Sequence, residues 1–445
     1  MMNNPSDSAR EPARSKVRIL VFLLIFFAIA INYMDRVNFS VAVPAIEKQF
    51  GFNIAQIGEI AFAWTLTYAV FNFPGGWIAD KLKLRNAFSL AIGWWSIFTI
   101  LTAVAYSFSS WIIIRGLMGV GEAPVWPLNA KATSTWAAPG ERSTTYTMPG
   151  SGQFVGPAVG SVLSGLIVAS LGWQWAFIIF GLLGLAWVPI WYTMVRDTPE
   201  THPWVNQAEL RYIQGASGAL GQSAVTREDM RMAARVMTSR NGIGVFLTFL
   251  TFGYILFTFL YWLPSYMYFT FHLSIVKSAA WSSISYGGGF LGFMISGPIN
   301  DRLIRRYGNG KGRKIGSGVP MVLMIIMMLI AVETSKAHAV IPTVVLIGLS
   351  LMAMNSTVGS WAVNAIDLAP NPRSTAFVYG IYNGVLNLMG AANSIILTRI
   401  AGSSGFIAAF SSAILFMVVF LVGLIFVIDH RGVISTKERL LKLNQ

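Results

Sequence analysis

The sequence predicts an all-α polytopic membrane protein, with twelve transmembrane helices in two pseudo-symmetric six-helix bundles. Three observations carry that expectation. Hydrophobic residues make up 55% of the chain and charged residues 11%, with a mean hydropathy of +0.60. A soluble domain carries about 25% charged residues to keep its surface wet, so most of this chain's surface must face lipid. Apolar runs of spanning length recur twelve times, and the basic residues gather on one side of them.

A spanning helix needs about 20 mostly apolar residues, because the hydrocarbon core is about 30 Å thick. Such runs lie near 18–39, 56–79, 87–106, 109–130, 144–169, 173–195, 242–268, 279–300, 316–333, 340–366, 375–399 and 405–428. The longest polar stretch between them, Arg196 to Arg240, separates six runs from six. The expected organisation is a cytoplasmic tail (1–17), an N-terminal bundle (18–195), a cytoplasmic linker (196–240), a C-terminal bundle (241–430) and a second tail (431–445). Within the linker, Glu209-Leu210-Arg211 and the stretch from Thr226 to Arg231 predict short amphipathic helices on the membrane surface. The N-terminus is polar and basic, and its first apolar run continues without a small-residue cleavage site. A retained first helix is expected rather than a removed signal peptide.

Orientation follows from lysine and arginine. With both termini cytoplasmic, the tails, the linker and the inner loops hold 26 of the 32 basic residues, and the outer loops hold only Lys48, Lys277 and Lys336. The expected topology is multi-pass with both termini cytoplasmic, and the expected location is the bacterial inner membrane. The net charge of +14 is accounted for by position, with no nucleic-acid partner. The absence of cysteine excludes disulfides, a thiolate nucleophile, thiolate zinc sites and iron–sulfur clusters. The histidines (His202, His272, His338, His430) are scattered in loops or at helix ends, with no metal-binding pair among them. No nucleophile–base pair stands out. No enzyme, metal or cofactor is expected.

The two halves share a signal. Gly76…Asp80-Lys81 follows span two, and Gly297…Asp301-Arg302 follows span eight, 221 positions later. Glycine permits close helix approach, and an aspartate at a helix end can cap a neighbour or pair with a base. With Arg85 these residues (Gly76, Asp80, Gly297, Asp301, Arg302) form a candidate cytoplasmic gating motif. The whole pattern resembles the major facilitator superfamily. The resemblance implies two six-helix halves rocking about a central site.

Four charges lie where charge is expensive: Asp35 and Arg36 in span one, Arg115 and Glu122 in span four. Each costs about 2.5–3.5 kcal/mol at the bilayer centre when unpaired. Arg115 and Glu122 are two helical turns apart on one face, about 10 Å along the axis. That is too far for a direct pair, but it leaves room for a substrate or a span-one partner between them. Asp35 and Arg36 point about 100° apart, toward different neighbours. Plain helix–helix salt bridges would explain the four; their mid-span placement favours a polar pathway.

Other groups surround them. Span four is dense in glycine and proline (Gly119, Gly121, Pro124, Pro127), which bends helices. Span five carries Gln153, span two Tyr68 and Asn72. Span ten has Asn355-Ser356-Thr357 and Ser360-Trp361, and span eleven has Tyr379, Tyr382, Asn383 and Asn387. Together they describe a cavity with two cations, two titratable acids, amides, hydroxyls and aromatic walls. A small hydroxylated carboxylate would use two arginines, since the guanidinium fork holds a carboxylate bidentately. Burial favours a neutral carboxyl and a nearby arginine the ionised form, so substrate binding at the arginine gives proton coupling a physical route.

Asn32-Tyr33-Met34-Asp35-Arg36-Val37-Asn38 and Arg115…Gly121-Glu122-Ala123-Pro124 are similar to the anion:cation symporter branch of that superfamily, as are Phe73-Pro74-Gly75-Gly76-Trp77 and Ser151-Gly152-Gln153-Phe154-Val155-Gly156. The branch includes bacterial galactonate and glucarate transporters and the vesicular glutamate transporter and sialin relatives. The resemblance implies inward symport of an organic anion with protons. By motif, Asp35 and Glu122 match proton-coupling acids, Arg36 the carboxylate-binding arginine, and Arg115 the second cation. Tyr33, Tyr68, Gln153, Ser360, Trp361 and Asn383 resemble substrate contacts. One departure is Val358, where sugar-acid members carry a hydroxyl. The departure counts against galactonate itself and leaves glucarate, other aldonates, tartrate-like acids and aromatic acids open. The expected partners are the organic anion, protons and membrane lipid, around a functional monomer. An organic anion or phosphate exchanger, which need not use Glu122, and a transporter-like sensor are the alternative readings.

Overall fold

The computed structural model describes residues 13–138, 142–214, 227–368 and 375–424. Residues 1–12 of the first expected tail, all of the second (431–445) and His430 lie outside the described residues, as does the linker segment 215–226. Among the described residues the chain is helical with no strand. The helices are α1 (Val17–Phe50), α2 (Ile54–Lys81), α3 (Leu84–Thr102), α4 (Phe108–Glu122), α5 (Val125–Trp136), α6 (Arg142–Gly150), α7 (Gly152–Ser170), α8 (Trp173–Met194), α9 (Gln207–Gln214), α10 (Arg227–Met237), α11 (Arg240–Phe271), α12 (Ile275–Lys336), α13 (Val340–Ser356), α14 (Val358–Leu368) and α15 (Thr375–Val422).

Nine stretches among the described residues are long and apolar enough, taken alone, to cross a membrane. Twelve spans emerge once the breaks are placed. Span four is α4 followed by α5, span five α6 followed by α7, and span ten α13 followed by α14. Spans five and ten are among the nine (Thr147–Leu171 and Val340–Trp361). The three added are span four, whose halves α4 and α5 are each too short, the first half of α12, and the second of the two spans that run together from Val378 to Val422. α12 and α15 each hold two spans, turned at Gly308 (φ 78°, ψ 163°) and Gly405 (φ 83°, ψ 166°). Only glycine holds that backbone cheaply.

The break in span four has a sequence cause. Pro124 ends α4, because proline lacks an N–H and crowds the preceding turn. Pro127 then cannot donate to the carbonyl of Ala123, and Asn72 of α2 supplies the donor instead, Nδ2 to O at 3.3 Å. Glu122 thus sits at the last turn of a broken helix, held against α2.

The duplication is visible in the turns. α1 ends at Gly51 (φ 67°) and α11 at His272 (φ 52°), both left-handed. These helices are spans one and seven, and the two residues stand 221 apart, the offset seen between Gly76 and Gly297.

Between halves, α2 packs on α15 and α7 on α12, while α1 meets α11. Among the described residues these contacts are tight at the end that holds the turns after α1, α7 and α11, the side the basic residues avoid. A Cβ on Gly58 would stand 2.0 Å from Thr398 Oγ1 and 2.7 Å from the carbonyl of Ser394. A Cβ on Gly165 would stand 2.8 Å from that of Ala279. On the axis between the halves, Ser265 Oγ donates to the Ser40 carbonyl at 2.9 Å, with the two hydroxyls 3.0 Å apart. This end of the bundle is closed.

The linker does more than connect. α1 begins with no side-chain cap at Lys16 and no acid in its first turn, which leaves its first N–H groups without partners. Glu209 of α9 fills the gap from 192 residues away. It accepts from the amides of Val17 (3.1 Å) and Arg18 (3.2 Å), from the Ser15 hydroxyl (2.6 Å) and from Arg18 Nη1 (2.9 Å). Arg14 and Arg18 lie over the ring of Tyr212, one turn on. Glu209 is fully buried, so α9 docks on the protein rather than on lipid. Removing a buried charge-assisted cap of this kind costs about 2–3 kcal/mol. Glu209→Ala is expected to lower the Tm of the purified protein, while Glu333→Ala, which removes only an exposed i,i+3 pair with Lys336, is expected to change stability by no more than about 0.5 kcal/mol.

Candidate substrate and coupling site

Four helices bring the site together. α1 supplies Tyr33, Asp35 and Arg36; α2 supplies Trp64 and Tyr68; α4 supplies Arg115 and Glu122; α11 of the second half supplies Tyr261. Close packing sets the positions. Gly119 of α4 lies against the backbone of Trp64 and Tyr68, where a Cβ would stand 2.4 Å from the Trp64 carbonyl. Gly156 of α7 lies against α1 in the same way, a Cβ falling 2.3 Å from the Ala30 carbonyl and 3.0 Å from Tyr33 Cβ. Small residues at four-residue spacing let membrane helices approach to this degree.

At the centre is a buried ion pair. Arg36 Nε donates to Glu122 Oε2 at 2.9 Å, and Arg36 Nη2 lies 2.9 Å from the same oxygen. Nη1 donates to the Tyr261 hydroxyl at 3.1 Å. The guanidinium carbon stands 4.2 Å from the ring centre of Tyr33, 4.7 Å from Tyr68 and 4.9 Å from Trp64. Trp64 and Tyr68, four apart on α2, stack at 5.7 Å, and Trp64 meets the Tyr261 ring edge-on at 5.3 Å. Arg36 thus has one anion, one hydroxyl and three aromatic faces. Cation–π contacts are strongest where, as here, water is excluded.

A second charged set lies beside the first. Arg115 Nη1 donates to Met118 Sδ at 3.2 Å, and the guanidinium lies over Phe39 at 4.7 Å. Asp35 is completely buried, and neither of its oxygens accepts a hydrogen bond. Arg115 and Glu122 are the charges that act on it, and Thr99 and Trp95 of α3 border it. Arg115 Nε and Glu122 Oε1 are likewise buried without a hydrogen bond. A buried carboxylate without partners is costly in a low-dielectric interior. Four mid-membrane charges that share one direct pair leave strong binding capacity in one place.

The expected residues are distributed unevenly. Tyr33, Asp35, Arg36, Tyr68, Arg115 and Glu122 gather as described, and Glu122 takes a span-one partner, one of the two occupants the Arg115–Glu122 spacing allowed. Gln153 is half-buried on α7, beside the Gly152 and Gly156 contacts with α1. The residues of the second half keep to their own half. The Ser360 hydroxyl donates to Asn300 Oδ1 of α12. Trp361 is packed among Phe249 (4.6 Å), Phe252 (4.5 Å) and Phe420 (6.1 Å). Asn383 is half-buried on α15, and its carbonyl accepts from Asn387 Nδ2 at 2.9 Å. No hydrogen bond, ion pair or ring contact joins these three to Arg36 among the described residues. Of the gating motif, Arg85 packs within the first half: its Nε donates to the Tyr192 carbonyl at 2.6 Å and its amide to Asp197 at 3.0 Å. Gly297 and Arg302 are exposed. The side chains of Gly76, Asp80 and Asp301 lie outside the described residues.

Two members of the site are not among the expected ones. Trp64 stands one turn before Tyr68 on the same face, and that spacing was the available signal. Tyr261 is a neutral residue in an aromatic-rich span. It lies 225 positions after Arg36, four more than the 221-residue offset of the duplication, so the repeat does not point to it and no sequence signal marked it.

The family model described as Major Facilitator Superfamily matches residues 25–394. The chain belongs to the Major Facilitator Superfamily. It is a multi-pass membrane transporter. Among its relatives is the D-galactonate transporter of Escherichia coli O6:H1, 28% identical over 90% of this chain and 91% of the relative. Another is the probable galactarate/D-glucarate transporter of Bacillus subtilis, 27% identical over 91% and 89%. A third is the probable sulfoacetate transporter of Cupriavidus necator, 28% identical over 88% and 89%. Among solved structures, a D-xylose–proton symporter superposes with a TM-score of 0.72 at 15% identity, covering 93% of this chain and 99% of that one. An inward-facing bacterial homologue of the lysosomal transporter Spinster gives 0.66 at 16% identity over 97% and 99%. These likenesses establish the shared fold.

Proposed function

We propose that this transporter carries a small organic anion, a sugar acid such as an aldonate or aldarate, into the cell with protons by alternating access. The observation that supports it most is the Arg36–Glu122 pair in its aromatic cage. A substrate carboxylate competes with Glu122 for the guanidinium fork. Glu122, displaced from its cation in a buried site, takes up a proton. Asp35 beside Arg115 is the second titratable acid and sits deeper in the first half. Proton and substrate then leave together, because each holds the other's partner. The rings of Tyr33, Tyr68 and Trp64 suit the C–H faces of a sugar acid, and Gln153 suits its hydroxyls. The names of the relatives, which include D-galactonate and galactarate/D-glucarate transporters, point to the same substrate class. The charge asymmetry supports a topology with both termini in the cytoplasm, and a functional monomer is part of the same proposal.

Tyr261 gives the second half its hold on this chemistry. Its hydroxyl is bound to a charged donor, a contact worth about 1.5–3 kcal/mol. Tyr261→Phe keeps the ring packing with Trp64 and loses the hydroxyl. It is expected to raise the KM for uptake roughly tenfold with little change in Tm. An unchanged KM would remove Tyr261 from the site. The reading as a whole is tested by uptake of aldonates and aldarates into proteoliposomes. Acid-stimulated uptake lost in Asp35→Asn and Glu122→Gln supports it, and uptake indifferent to both substitutions contradicts it.

A further inference from the structure

On the lipid side of the first bundle, α2 and α4 leave a groove of about 690 Å³. Its walls are Phe62, Leu66 and Phe71 of α2 and Ile113, Leu117 and Val120 of α4. Ile113 is 60% exposed and Phe71 39%, so the groove opens outward rather than into the bundle. Its one neutral polar side chain, Thr67, is satisfied: the hydroxyl donates to the Gly116 carbonyl at 2.7 Å. The remaining polar residue is Glu59, at one end. It is exposed, and it makes no hydrogen bond or ion pair among the described residues.

Depth gives that carboxylate its meaning. Glu59 lies five residues into α2, about 7.5 Å along the axis from the helix start. That is close to the boundary between headgroups and acyl chains, since each polar zone is about 5–7 Å thick. From Glu59 to Phe71 the groove runs about 18 Å, near the length of one leaflet's acyl chain, half of a core of about 30 Å. A carboxylate at this depth wants a cation, and none pairs with it among the described residues.

We infer that the groove seats a phospholipid with a primary-ammonium headgroup, its acyl chain along α2 and α4 and its ammonium on Glu59. A primary ammonium carries three N–H donors for a carboxylate. A quaternary choline headgroup has none, and an anionic lipid would be repelled. A second copy of the chain fits worse. A two-fold interface sets like patches against each other, which would bring Glu59 toward its own copy. The inference stands apart from the transport reading, since neither Glu59 nor the groove touches the central site.

The test is native mass spectrometry of the full chain from detergent containing equal phosphatidylethanolamine and phosphatidylcholine with identical acyl chains. The wild type is expected to retain phosphatidylethanolamine about tenfold over phosphatidylcholine, the ratio that about 1.4 kcal/mol gives. Glu59→Gln is expected to retain both equally. Gly116→Leu, placed where an added Cβ meets nothing closer than 3.8 Å, fills the groove and lowers retention of both. Equal retention by the wild type, an unchanged preference in Glu59→Gln, or a dimer in place of lipid would each overturn the inference.

Discussion

Arg36→Ala is expected to lose binding of the organic anion, with affinity falling at least about 30-fold. Truncating one member of a buried, hydrogen-bonded charge pair costs about 2–5 kcal/mol, and here the substrate loses its fork at the same stroke. The three rings around the guanidinium would face one another across an empty space, and Glu122 would be left buried without its cation. Arg36→Lys separates charge from shape. It keeps the positive charge but replaces the planar fork with a compact ammonium, so it is expected to bind weakly and to lose preference among carboxylates. Thermal-shift titration against sugar acids, dicarboxylates and aromatic acids reads both, because a bound ligand raises Tm by mass action. A full ligand-induced shift in Arg36→Ala would remove Arg36 from the binding site.

The second large effect concerns the closed end of the bundle. Ser40 and Ser265 hydroxyls stand 3.0 Å apart across the interface between halves. The chain has no cysteine, so the double variant Ser40→Cys, Ser265→Cys introduces the only thiols. Oxidation is expected to crosslink it and stop transport, and reduction to restore it. Gly58→Leu acts in the opposite sense. Its side chain would occupy the place of Thr398 Oγ1 and the Ser394 carbonyl, so this end cannot close. Transport is then lost while binding from the outer side survives. A Gly58→Leu protein that transports normally would show that closure here is no part of the cycle.

Much of this was legible in the sequence, for physical reasons. A charge inside an apolar run is conspicuous because lipid tolerates it poorly, so Asp35, Arg36, Arg115 and Glu122 could be picked out one by one. Twelve spans could be counted even where α4 and α5 are broken, because hydropathy averages over a break at Pro124. Pairing was harder. Arg36 and Glu122 are 86 residues apart, and neither spacing nor composition chooses between Arg36 and Arg115 as the partner of Glu122. Tyr261 carries no charge and sits among Phe257, Phe259 and Trp262, so nothing local distinguishes it. Ser360 and Trp361 show the reverse case. Polar and aromatic residues in a span are as useful for packing as for binding, and here they serve Asn300 and an aromatic cluster of their own half. Glu209 was visible only as part of an amphipathic turn. Its role as a cap for α1 depends on a fold-back of 192 residues that no local pattern encodes.

The claim at the centre is that Arg36 and Glu122 exchange partners between substrate and proton. It is tested most directly by uptake of a labelled aldarate or aldonate into proteoliposomes under an imposed proton gradient, acid outside. The account predicts accumulation above the external concentration, collapse on adding a protonophore, and no accumulation in Glu122→Gln. Uptake in the wild type that ignores both the gradient and the protonophore would contradict it.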